Sequence, residues 1–181
     1  VTPDSADTMT NFYMARYELT VAQLTALKNA QVCDTGNAIA EPVNLDRLSA
    51  TSLSWFDAVA LGQRYTEWLI VNAPDQIPGG QEGRGYLRLP TEVEWEYSAR
   101  GGTSVSPTEF AAPQFPMVGR EDDYAHFQGA GGASPSRAGP TGAKAPNPLG
   151  LYDMYGNAEE LILEPFRLNA LGRAHGQSGG L

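Results

Sequence analysis

Cysteine and histidine are scarce in this chain of 181 residues. Cys33 is the single cysteine, so neither a disulfide nor a cysteine-pair reaction can form within the chain. The two histidines, His126 and His175, are too few for a metal site with three histidine ligands. Cys33 with His126 is the one thiol–imidazole pair left to consider, but a lone cysteine is more often a small packing residue. Most cysteine and histidine chemistry is therefore excluded.

Positive charge and long apolar runs are also in short supply. The chain has 12 Lys and Arg against 21 Asp and Glu, for a formal net charge of -9. Such a surface repels a phosphate backbone, so we expect no nucleic-acid partner. No apolar run approaches the roughly 20 residues that span a bilayer, and we expect no membrane span. The first residue is Val rather than Met, which fits a mature exported protein and a trimmed chain equally well.

Common catalytic and phosphate-binding motifs are missing from the sequence. There is no Gly-x-Ser-x-Gly elbow, and the glycine-rich stretches 79–83 and 129–132 lack the Lys-Ser/Thr ending of a phosphate loop. The 20 glycines and 13 prolines predict a backbone rich in turns and irregular loops.

The strongest local signal is a short helix after residue 90. Thr91 and Glu94 have the spacing of a capping box, and Gly101 is suited to the left-handed conformation that ends a helix. The acids of its first turns complement the helix dipole, and we interpret them as solvated helix residues rather than catalytic groups. These acids are Glu92, Glu94 and Glu96.

Two further capping boxes and three other segments complete the prediction. Thr20 with Gln23 predicts a helix to about residue 30, and Ser54 with Asp57 predicts one to about residue 72. Residues 12–19 are expected to form a strand, and residues 150–163 a turn that leads into a strand. Residues 102–150 show no periodicity, and a loop of that length should be fixed by packing, a metal or a partner.

Four stretches, in this order, resemble the formylglycine-generating-enzyme (sulfatase-modifying factor) family. They are Tyr17-Glu18-Leu19-Thr20, Ser54-Trp55-Phe56-Asp57-Ala58-Val59-Ala60, Arg88-Leu89-Pro90-Thr91-Glu92-Val93-Glu94-Trp95-Glu96-Tyr97, and Asn147-Pro148-Leu149-Gly150-Leu151-Tyr152-Asp153-Met154-Tyr155-Gly156-Asn157. The resemblance implies an α+β fold related to C-type lectins, with short helices around small twisted sheets and much irregular loop. It also implies a single domain over residues 1–181, and we expect this chain to lack the C-terminal strands of that domain.

The resemblance implies a calcium ion as cofactor. The ligands carried over are the side chains of Asp153 and Glu160 and the carbonyl groups of Gly156 and Ala158. Calcium prefers about six to eight oxygen ligands of this mixed kind. The alternative is an ordinary solvated turn with two surface acids. A second calcium site of the family is not expected, because His126 and the residue after it stand where an amide ligand is usual.

Catalytic members of the family oxidise a sulfatase cysteine to formylglycine with a copper-binding cysteine pair, and Cys33 matches neither position of that pair. Glu159 and Leu161 replace aromatic residues of the family pattern. We therefore expect a non-catalytic, TagR-like periplasmic or otherwise extracytoplasmic regulator. Its expected partner is a protein, such as a membrane kinase or its sensor domain in a type VI secretion pathway, and residues 102–150 are the expected recognition surface.

Two alternatives stay open. The first is a copper-dependent formylglycine-generating oxidase whose catalytic cysteine segment is missing from this chain. The second is a lectin-like adhesion module that displays variable loops. A fold alone cannot choose among these functions, because function depends on the site.

Overall fold

The computed structural model describes residues 12–28, 47–77, 85–126 and 138–163. The α-helices in this part are α1 (Val21–Leu27), α2 (Trp55–Asn72), α3 (Glu92–Ala99) and α4 (Pro107–Phe110). Single turns of 3-10 helix lie at Pro74–Gln76, Gly102–Ser104 and Glu121–Asp123. Within these residues, no helix combines the length and apolar character needed to cross a bilayer.

The predicted helix starts are confirmed. The capping boxes at Thr20, Ser54 and Thr91 all form, with the side chain and the backbone amide of each pair bonded reciprocally. A fourth capping box, from Ser106 to Glu109, begins α4. This fourth box was not predicted, although Ser106 and Glu109 have the same spacing. Helix α1 was expected to reach about residue 30, whereas its C-cap is already Lys28.

The strand predicted over residues 12–19 is wrong. The backbone donors and acceptors of this segment pair with different parts of the chain, so no ladder can extend. The Arg16 carbonyl accepts from the Tyr152 amide at 3.0 Å, whereas the Leu19 carbonyl accepts from the Ala50 amide at 2.7 Å. Among the described residues, the bridges there are isolated, including an antiparallel one between Thr20 and Ser49. Residues 150–163 likewise form turns and bends, without the predicted strand.

The C-terminal end of α3 is fixed by side chains from about 50 residues further along the chain. Ser98 and Ala99 are buried, and their carbonyls accept hydrogen bonds from Asn147 Nδ2 and the Tyr155 hydroxyl, each at 2.7 Å. The Asn147 Oδ1 atom in turn accepts from the amide of Leu151 at 3.0 Å. A helix end that is buried needs such partners for its last carbonyls. The turn at 147–155 is thereby held against α3.

The core lies at the junction between the end of α3 and the turn at 147–155. Ala99, Leu151 and Met154 are buried together, and the side chains packed around them are Met14, Trp95, Phe115 and Tyr155. Gly101 has the predicted left-handed backbone, with φ of 83°, and a Cβ there would meet Val105 and Pro148. The chain thus turns tightly out of α3.

Replacing Tyr155 with Phe tests the junction. Burial raises the pKa of the Tyr155 phenol to about 12, so the hydroxyl keeps its proton and donates to the Ala99 carbonyl. Its loss leaves a buried carbonyl without a donor and should reduce the free energy of unfolding by about 1–3 kcal/mol, measured by urea denaturation. Tyr13, whose side chain is exposed, provides the matched control: Tyr13→Phe should change little. Equal effects of the two substitutions would contradict the assignment.

Acid stability tests the start of α3. Arg88 binds the Glu94 carboxylate through two hydrogen bonds of 2.6 and 2.7 Å, and this contact is the main cause that lowers the pKa of Glu94 to about 2. Since the carboxyl ionises at lower pH in the folded state, its contribution is full above the ordinary pKa of 4.5 and is lost as the pH falls towards about 2.

Glu94→Gln should therefore lower stability by on the order of 1 kcal/mol at neutral pH. The difference from the unchanged protein should shrink between the two pKa values, as followed by thermal denaturation across that pH range. Glu96→Gln is the control, because the Glu96 side chain is half exposed in its pair with Arg100. A Glu94→Gln difference that is the same at both ends of the pH range would refute this account.

Candidate functional site

A cavity of about 680 Å³ lies beside α3. It is formed by α3, by the segment 115–125 and by the segment 153–162. Much of its wall is apolar, with side chains from Trp95, Phe115, Met117, Met154 and Tyr155. Part of the expected recognition surface, residues 102–150, therefore contributes to this cavity.

The polar part of the cavity wall is acidic. Six carboxylate residues line it: Glu92, Glu96, Glu121, Asp153, Glu159 and Glu160. Among the described residues of the lining, none is Lys, Arg or His. The cavity therefore combines aromatic walls with negative charge. Two of the helix acids interpreted as solvated, Glu92 and Glu96, belong to its wall.

Asp153 is the most constrained of these acids. Its side chain is buried at 4% exposure, and its backbone has a left-handed φ of 62°. The Oδ2 atom accepts a hydrogen bond from the Gly142 amide at 2.7 Å. The Oδ1 atom is also buried but has no hydrogen-bond partner in the described part of the chain. A buried carboxylate oxygen without a partner is energetically costly, and it is well suited to bind a cation.

The other three predicted calcium ligands line the same cavity: Gly156, Ala158 and Glu160. The Glu160 carboxylate accepts a hydrogen bond from the Trp95 indole. Water reaches the Glu160 side chain, yet protein atoms crowd around its carboxyl, and this desolvation raises its pKa. The negative charges of Glu18 and Asp153 raise it further, against the lowering effect of the Trp95 bond.

The donor set therefore fits calcium better than a transition metal. Within the described residues, no group of three or more His, Cys, Asp or Glu side chains is arranged to hold a metal ion. The predicted set needs only two carboxylates, from Asp153 and Glu160, with carbonyl oxygens for the rest. Hard oxygen ligands of this kind are those that calcium accepts.

A partly buried polar network around Glu18 was not predicted from the sequence. The Glu18 carboxylate accepts hydrogen bonds from the Ser49 hydroxyl, from Asn157 Nδ2 at 2.6 Å and from the Ala158 amide at 3.0 Å. Burial raises the pKa of Glu18, whereas these three donors lower it. The network joins three distant segments next to the predicted ligands. The signal that could have indicated it is that Glu18 is the one acid in the segment of residues 12–19.

His126 packs against the same turn. Its carbonyl accepts from the Asn157 amide at 2.9 Å, and its Nε2 atom is buried without a partner among the described residues. A Cβ on Gly156 would overlap the His126 backbone, so only glycine fits there. Cys33 and His175 lie outside the described residues, and the proposed pair of Cys33 with His126 stays a hypothesis.

Comparison with known proteins agrees with the resemblance. The chain matches the sulfatase-modifying factor enzyme 1-like domain over residues 2–180. LppX of Paenibacillus barcinonensis, which is described as a chaperone protein, is 22% identical over 194 residues, an alignment that covers 89% of this chain. The chain spans just under two thirds of the length of LppX, 65%.

A solved structure is also similar. The crystal structure of CarF superposes with a TM-score of 0.60 and 27% identity, covering 84% of this chain and 68% of CarF. The family predicted from the four stretches is thus confirmed, and it implies a C-type-lectin-like fold. Because the match extends over nearly all of its residues, this chain belongs to the family of sulfatase-modifying factor enzyme 1-like domains.

Proposed function

We propose that this domain is a non-catalytic binding and regulatory module that calcium stabilises at the turn of residues 153–160. The observation that carries the proposal is the Oδ1 atom of Asp153, a buried carboxylate oxygen with no partner in the described part of the chain. A cation bound there would offset the desolvation of that oxygen. Glu160 and the carbonyls of Gly156 and Ala158 would provide the remaining protein ligands, and calcium would supply structural order rather than chemistry.

A binding role has support from a relative. LppX is described as a chaperone protein, which fits a domain that binds other proteins. The chain spans only part of the length of LppX, so any activity or partner that we assign to the complete protein is a proposal.

The proposal also covers the cellular compartment of the domain and its binding partner. We place the domain in the periplasm or another extracytoplasmic compartment, where free calcium is abundant enough to fill a modest site. Its partner is a protein, for which we propose a membrane kinase or its sensor domain, in the manner of the TagR-like regulators of type VI secretion. The net charge of -9 favours a partner whose contact surface is basic.

Calcium titration tests the site directly. At a concentration about 100 times the dissociation constant, calcium should stabilise the domain by about 2.7 kcal/mol, and its melting temperature should rise on the order of 5 °C relative to chelated protein. Asp153→Asn with Glu160→Gln should abolish that rise. Asn tolerates a left-handed backbone and can still accept from the Gly142 amide, so this variant removes the charge with little structural change.

Glu67→Gln is the control, since Glu67 lies on the exposed face of α2, away from the cavity. It should keep the full calcium response. A calcium response that survives in the Asp153→Asn and Glu160→Gln variant would show that calcium binds elsewhere. In a longer form of the protein that carries a cysteine pair, copper-dependent oxygen consumption with a cysteine peptide would instead favour the oxidase.

A further inference from the structure

We propose that the acidic cavity beside α3 binds a segment of a partner protein in which an arginine or lysine lies next to an apolar side chain. The inference rests on the proposed binding function and specifies the chemistry of the partner. Its basis is the combination of aromatic walls and a negative lining. The buried Asp153 oxygen, which has no partner within the described residues, already points to a cation, and Glu121 and Glu159 lie outside the predicted calcium ligands.

The walls suit the stem of a long cationic side chain. Trp95, Phe115 and Tyr155 form a chain of ring contacts, with centroid distances of 6.4 Å between the first two and 5.0 Å between the last two. The guanidinium of Arg100 already lies 5.4 Å from the centre of the Phe115 ring. An incoming cation can use the same kind of contact from inside the cavity, with its methylene groups against the apolar wall.

The negative charges of the cavity lining favour a positively charged ligand. Glu96 is compensated by Arg100 at 2.7 Å. The ion pairs formed within the described residues do not involve Glu121, Asp153 or Glu159. A single calcium ion would offset two negative charges, so the acids outside the predicted ligand set would still keep the cavity negative.

Other occupants fit less well. A purely apolar segment would bury carboxylates without compensation, which is costly. An anionic ligand would add repulsion to that cost. A guanidinium or ammonium group next to an apolar residue satisfies both parts of the wall, and a guanidinium can bind a carboxylate through two hydrogen bonds. The volume of about 680 Å³ is large enough for such a pair of side chains.

Two matched peptides test the inference. The probes are a fluorescein-labelled acetyl-Gly-Phe-Arg-Phe-Gly amide and the same peptide with citrulline, which is uncharged but nearly the same shape, in place of Arg. Measured by fluorescence polarisation, the Arg peptide should bind at least about tenfold more tightly, as expected for a charge-assisted hydrogen bond. Its affinity should fall as salt is added. Equal binding of the two peptides, or binding of neither, would overturn the inference.

A variant assigns the binding to the cavity. Glu121→Gln with Glu159→Gln should weaken binding of the Arg peptide about tenfold, while a calcium-induced rise in melting temperature is retained, because the predicted calcium ligands are untouched. Asp75→Asn removes an exposed acid outside the cavity and should leave peptide binding unchanged. If both variants bind the Arg peptide like the unchanged protein, the cavity is not the site.

The two proposals can fail separately. A calcium response without a preference for the Arg peptide overturns the cavity inference and leaves the calcium site standing. A preference for the Arg peptide in chelated protein, with no calcium response, supports the cavity inference and overturns the calcium site. Concentration-dependent self-association that excludes the Arg peptide would show that a second copy of the chain fills the cavity, which also overturns the inference.

Discussion

The buried end of α3 is the constraint on which the rest of the described structure depends. Ser98 and Ala99 are buried, so their carbonyls need donors from the protein. The Tyr155 hydroxyl is the donor to Ala99, and Asn147 joins the Gly101 amide as a donor to Ser98, which requires the turn between Asn147 and Tyr155 to lie against the helix. That placement brings Met154 into the core and Asp153 to the cavity wall. The position of the candidate site is therefore a consequence of how a helix ends.

Two carboxylates near this junction show how hydrogen bonding separates a structural role from a binding role. Glu18 accepts hydrogen bonds from Ser49, Asn157 and the Ala158 amide, so both of its carboxylate oxygens have partners within the fold. Asp153 is buried with one oxygen bonded to the Gly142 amide and the other without a partner in the described residues. Glu18 therefore links chain segments, whereas Asp153 has a buried oxygen that a bound cation could neutralise.

The sequence predicted local structure well and long-range structure poorly. Capping boxes involve residues three positions apart, so the starts of α1, α2 and α3 could be identified without knowing the fold. The prediction of a strand at residues 12–19 was wrong because the hydrogen-bond partners of this segment come from two different parts of the chain, and no local sequence pattern encodes them. The four proposed calcium ligands could be named only through the family resemblance. The cavity wall was missed because Phe115 and Met117 come from a stretch without periodicity, and only the tertiary fold brings them to Trp95.

Calcium and a cationic side chain would act on the same field of negative charge, and this has a consequence for regulation. Each cation reduces the attraction that the lining acids exert on the other, so direct electrostatics makes the two ligands oppose one another. Calcium would also order the 153–160 turn, which forms part of the cavity wall, and this effect favours peptide binding. The difference between these terms sets the coupling free energy, which must be the same for calcium acting on the peptide and for the peptide acting on calcium. In the proposed arrangement, calcium would therefore change the affinity for the peptide, and the sign of that change would depend on whether ordering of the turn or repulsion between the cations is larger.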